Sequence, residues 1–117
     1  MTFLQLQIHQ SNVEFYVATL ALGLLNAMKS GVIPFETGIW SLARPQFLDE
    51  TLPFCSPELQ MILQQFDELD ALSTLVSSEQ AIQQIDDWIE TLQNIMAKQS
   101  QNIDFLIKVN AFQAALS

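Results

Sequence analysis

One stretch limits what this chain can fold into more than any other. Ser11 to Gly31 reads SNVEFYVATLALGLLNAMKSG. At the helical period its polar positions Thr19, Gly23 and Asn26 fall in one thin strip, and the rest of the circumference is apolar: Val13, Tyr16, Val17, Leu20, Leu22, Leu24, Leu25 and Met28. A helix apolar most of the way round must be covered on most sides. The stretch predicts a central helix over residues 12–29, wrapped by other segments, with Gly23 admitting a close helix crossing along the polar strip. Its ends are marked. Ser11-Asn12-Val13-Glu14 reads as a capping box, and in Ser30-Gly31 the glycine is free to turn left-handed and stop the helix.

The remaining segments read as wrappers. Leu4, Leu6 and Ile8 alternate with Gln5 and Gln7, the period of a short strand. No later segment offers that strand an obvious partner, so helix or irregular extension carries equal weight for residues 3–8. A short second helix is expected from Pro34 to about Ala43, with Ile39, Trp40 and Ala43 inward and Pro45 as its stop. One more turn follows over Gln46–Leu52. Ser56-Pro57-Glu58 is a start signal, and Leu59, Ile62, Leu63, Phe66 and Leu69 then share one face as far as Asp70, or Leu75 with a break. Ser77-Ser78-Glu79 opens a fourth helix whose stripe is Ile82, Ile85, Ile89, Leu92 and Met96, widened by Trp88 and Ile95. From Ile103 to Leu116, Phe105, Val109, Phe112 and Leu116 repeat at helical spacing and predict a final helix. The expected fold is all-α, one domain over residues 1–117, a compact bundle of about five helices around the central one.

Composition excludes several functions. Half of the 117 residues are hydrophobic, enough for a core without metal or disulfide, and Cys55 is the single cysteine. The longest apolar run, Val17 to Met28, is 12 residues, short of the roughly 20 a membrane span needs. The N-terminus lacks the basic region of a signal peptide, so a cytoplasmic location is expected. The net charge is −9, and between Pro45 and Ala97 ten acids stand without one base. Such a surface repels phosphate backbones and anionic lipid, which argues against nucleic acid and membrane as partners. It suits a basic protein.

Few residues could carry chemistry. His9 is the one histidine, so no histidine-based metal site is expected. Cys55, just before a helix start, is a conceivable nucleophile, but its neighbours Pro53, Phe54 and Pro57 suit a buried residue in a tight turn. Asp67, Glu68 and Asp70 cluster at the end of the third helix, and Asp86, Asp87 and Glu90 on the fourth. Both clusters fall on solvent faces by periodicity, without a calcium loop or a phosphate-binding motif. The inventory predicts a protein without catalytic residues, metal or cofactor.

The run from Leu22-Gly23-Leu24-Leu25-Asn26-Ala27-Met28-Lys29-Ser30-Gly31-Val32-Ile33, with Glu36 and Arg44-Pro45 after it, resembles a family of small uncharacterised helical bacterial proteins. Pro34 stands where that pattern carries a capping serine or aspartate. Proteins of this kind are similar to immunity proteins encoded beside bacterial polymorphic toxins. The resemblance, confined to about residues 22–45, implies a binding protein that blocks a basic toxin domain. The six carboxylates Asp67, Glu68, Asp70, Asp86, Asp87 and Glu90 are then the expected contact residues. The alternative is a self-associating structural or adaptor protein, a homodimer through the terminal apolar segment.

Overall fold

A computed structural model describes residues 2–99 and 109–115 of the chain. Its body is helical. The central helix α1 spans Val13–Lys29, α2 Phe35–Leu42, α3 Pro45–Thr51, α4 Pro57–Gln65, α5 Glu68–Ala71 and α6 Ser78–Gln99. Two short strands, β1 (Thr2–Ile8) and β2 (Val109–Ala115), stand outside the bundle.

The core forms where the apolar stripes meet. Val17, Ala18, Ala21, Leu25 and Met28 of α1 are buried against Ile85, Trp88, Leu92 and Ile95 of α6. These two helices run antiparallel: Lys29 at the end of α1 reaches Asp86 near the start of α6, and Glu14 at the start of α1 meets Gln99 at the end of α6. The expected third-helix face, Leu59, Ile62, Leu63, Phe66 and Leu69, is wholly buried. It also runs against α6, since Glu58 lies 4.0 Å from Lys98 while Phe66 stacks on Trp88 with ring centroids 5.8 Å apart and planes 9° from parallel. The break foreseen in this segment falls at Phe66–Asp67. The single turn of α5 follows it, then a π-helical turn over Leu72–Val76.

The helix ends obey local rules in most places. Gly31 has φ +76°. The Val32 amide donates to Ala27 O at 2.9 Å and the Gly31 amide to Met28 O at 3.2 Å, the paired bonds of a Schellman stop. Ser56 Oγ accepts from the Leu59 amide, and Ser77 Oγ from the Gln80 amide, so both expected serine caps are in place. Pro34 stands at the N-cap of α2 rather than in its first turn.

Five expectations are corrected. Val109–Ala115 is a strand, not part of a final helix; residues 103–108 and 116 of that expected helix lie outside the described residues. It pairs antiparallel with β1, Thr2 facing Ala115 and Ile8 facing Val109, so the alternating segment has the partner its period required. Trp40 is 54% exposed rather than inward, while Ile39 and Leu42 of the same helix are buried; an eight-residue helix covers one side only, and its core side is set by those two. Thr19, Gly23 and Asn26 face solvent. The Thr19 hydroxyl and the Asn26 amide are satisfied within α1, donating to Phe15 O at 2.7 Å and Leu22 O at 3.0 Å. No atom outside α1's own backbone and Gly23's chain neighbours would lie within 4 Å of a Cβ at Gly23. The close approach occurs at Gly38 instead, where a Cβ would stand 2.3 Å from the Sδ of buried Met28. The capping box at Ser11–Glu14 is also absent. Its carboxylate is used elsewhere.

Candidate functional site

Glu14 joins three segments. Its Oε1 accepts from the Ser56 backbone amide at 2.6 Å, at the entry to α4, and its Oε2 from Gln99 Nε2 at 2.6 Å, at the end of α6. The local capping role passes to His9, whose Nδ1 accepts from the Ser11 amide at 3.1 Å and lies 2.8 Å from the Ser11 hydroxyl. The chain thus spends both residues on its own architecture. Asn12, between them, is buried, and its side-chain nitrogen has no hydrogen-bond partner among the described residues.

Cys55 is buried, and its thiol donates to Thr51 O at 3.2 Å. Burial, with the Glu14 carboxylate as the lesser cause, pushes this thiol up to about 11. A nucleophilic cysteine needs the opposite shift. Gln60 secures the same turn, donating from Nε2 to Leu52 O at 2.9 Å and Cys55 O at 3.0 Å. Among the described residues no group of three or more His, Cys, Asp or Glu side chains is placed to hold a metal ion. No helix there is long and apolar enough to cross a membrane.

The two acidic clusters lie on either side of one buried contact. Asp67 follows Phe66 and Asp87 precedes Trp88, and those two rings stack. Asp67, Glu68, Asp70, Asp87 and Glu90 are exposed. Asp87 accepts from Gln83 at 3.1 Å. Asp86 differs: it is half-buried and takes Lys29 at 2.5 Å across the α1–α6 contact. Both partners of that pair remain partly in solvent, so the bridge is worth less than about 1 kcal/mol. It nonetheless removes Asp86 from the free carboxylates. Among the described residues the other five have no ion pair.

A second surface had no counterpart in the sequence reading. Between β1 and the helices lies an open groove of about 580 Å³, lined by Leu6, Ile8, Tyr16, Leu20, Phe47 and Phe54, with Glu50 and Thr51 also at its wall. Leu20, on the side of α1 expected to be covered, is 47% exposed there. The strand ribbon beside it is bare: Leu4 is 69% exposed, Leu6 56% and Phe112 49%. The signal that could have found it is the Leu4–Leu6–Ile8 alternation read together with an uncharged Val109–Ala115.

Comparison with known proteins adds no relative: no family model, no curated protein and no solved structure matches this chain.

Proposed function

We propose that this protein is a non-catalytic protein-binding module of the cytoplasm that takes a basic protein partner, in the manner of an immunity protein on a toxin domain. The observation that supports the reading is the set of five exposed carboxylates, Asp67, Glu68, Asp70, Asp87 and Glu90, which make no ion pair among the described residues, on a chain of net charge −9. Opposite charge steers such partners together and raises the association rate, an effect that salt screens. The shifted thiol of Cys55 adds weight against a catalytic alternative.

The test is capture followed by a pairwise measurement. The protein is immobilised, host lysate is applied at low salt, and bound material is eluted as salt rises. A basic protein recovered in this way is then titrated against the wild type and against a variant with the five residues changed to lysine. Asp86 is left alone because Lys29 holds it. The expected result is a loss of at least tenfold in affinity and of most of the salt dependence. Binding that keeps both its strength and its salt slope in the variant refutes the reading.

A further inference from the structure

The ribbon presents a surface of a different kind. β1 reads Thr-Phe-Leu-Gln-Leu-Gln-Ile and β2 Val-Asn-Ala-Phe-Gln-Ala-Ala, without a single charged side chain. Natural edge strands are usually guarded by lysine, proline or a bulge, and β1 has none of these within it. Its side chains sort by alternation. Thr2, Leu4, Leu6 and Ile8 share one face with Ala115, Gln113, Ala111 and Val109 of β2, while Phe3, Gln5 and Gln7 share the other with Ala114, Phe112 and Asn110. On the first face only the Ile8–Val109 end is half-buried. A two-stranded ribbon of this length is marginal by itself, and further strands or a packed face are what stabilise one.

We propose that the edge of β1 left unpaired among the described residues pairs antiparallel with β1 of a second copy of this chain, about a two-fold axis at Gln5. The strand is self-complementary about that residue. Gln5 then faces Gln5, Leu4 faces Leu6 of the other copy, Phe3 faces Gln7 and Thr2 faces Ile8. No pair brings like charges together, and the leucines stay on the same face. The product is a four-stranded sheet in the order β2-β1-β1-β2, with Leu4 and Leu6 of the two copies side by side on one face. Each pair off the axis occurs twice, residue i on j and j on i, as an isologous contact requires. The palindromic register favours a second copy, and the uncharged strands are where a chain of net charge −9 admits one. One acid stands near. Glu50 lines the space beside Gln5, Leu6 and Gln7, so two copies of it approach the axis and weaken the pairing. This surface is separate from the acidic clusters, and its salt response is opposite: screening tightens the dimer and loosens a basic partner.

Sedimentation equilibrium of the full chain up to roughly 500 μM tests the proposal, since an edge of seven residues is small beside a standard interface and a micromolar dissociation constant is expected. The mass should rise from 13.2 kDa towards twice that value, more readily at high salt. Leu4→Glu, at an exposed position, should weaken the dimer at least tenfold with the helical circular dichroism unchanged, and Glu50→Gln should tighten it several-fold. Gln5→Cys should form an interchain disulfide on mild oxidation, because residues facing each other across an antiparallel pair lie within disulfide reach. Thr2→Cys, whose copies stand about 20 Å apart in this register, should not, and neither should the wild type, whose one thiol is buried. A monomer throughout the range overturns the proposal. So does a dimer indifferent to Leu4→Glu, or one that cross-links through position 2 and not through position 5. None of these outcomes bears on the basic partner, whose binding is measured with the carboxylate variant.

Discussion

Replacing Glu14 with glutamine is the most informative single change in the helical body. The side chain keeps its shape and one carbonyl oxygen. The other oxygen becomes an NH2 group, which cannot face the Ser56 N–H and so turns to Gln99, whose own amide must turn over to accept it through Oε1. The variant therefore exchanges two charge-assisted bonds for neutral ones, a loss of about 1–1.5 kcal/mol each. A net cost of about 2–3 kcal/mol follows, out of the 5–15 kcal/mol that typically holds a domain. At about 4 °C for each kcal/mol in a chain of this length, the midpoint should fall by about 8–12 °C. Urea denaturation followed by circular dichroism measures it, with an unchanged slope showing that the same surface is exposed on unfolding. Glu58→Gln is the control, because Glu58 is exposed and only loosely set against Lys98 at 4.0 Å; it should stay within about 0.5 kcal/mol of wild type. A double-mutant cycle with Gln99→Ala should return a coupling of about 1 kcal/mol or more. If Glu14→Gln is as stable as Glu58→Gln, the carboxylate does not clasp the three segments and the reasoning fails.

Two further predictions come from the same packing. Gly23→Ala meets no neighbour and should stabilise the protein by about 0.5–1 kcal/mol, the usual helical gain, whereas Gly38→Ala forces a Cβ onto Met28 and should destabilise by about 1–2 kcal/mol in thermal melts; equal effects would mean that α2 does not lie on the end of α1 as described. The Cys55 thiol, raised from 9.0 to about 11, ionises more readily in the unfolded chain, so the stability it contributes is complete below pH 9 and declines as pH rises from about 9 to about 11, on the order of 2 kcal/mol in all; a Cys55→Ala variant with the same decline across that window would show that other groups cause it.

How much of this was legible beforehand depended on how local the deciding physics was. The serine caps, the Gly31 stop and the buried face from Leu59 to Leu69 each follow from a few neighbouring residues, and each stands as read. Glu14 was misread because a capping box competes with partners far along the chain, and Ser56 and Gln99 outbid Ser11. Gly23 and Gly38 are alike in sequence; only the position of Met28 distinguishes them. Trp40 shows the limit of periodicity in an eight-residue helix, where two or three apolar residues compete for one inward side. The segment around Val109 and Phe112 fits a helical spacing and a strand equally over so short a run, and the choice was made by β1. The six carboxylates were placed rightly on the surface except Asp86, which a lysine from the opposite helix draws in.

The clasp at Glu14 also sets the order in which the molecule can assemble. Thr2 and Ala115 face each other in the ribbon, though nearly the whole chain separates them. Closing a loop of that length from an open coil costs about 4 kcal/mol, more than two short exposed strands can return. Once Gln99 is tied beside Glu14, the end of α6 stands next to the start of α1, just past the end of β1, and most of that cost has been met by the helices. The ribbon is thus the last element to form and the first to open, and its amides should exchange with solvent far sooner than those of α1 and α6. The bundle keeps time for the strands: they meet when its ends have closed, and they part while its core is still intact.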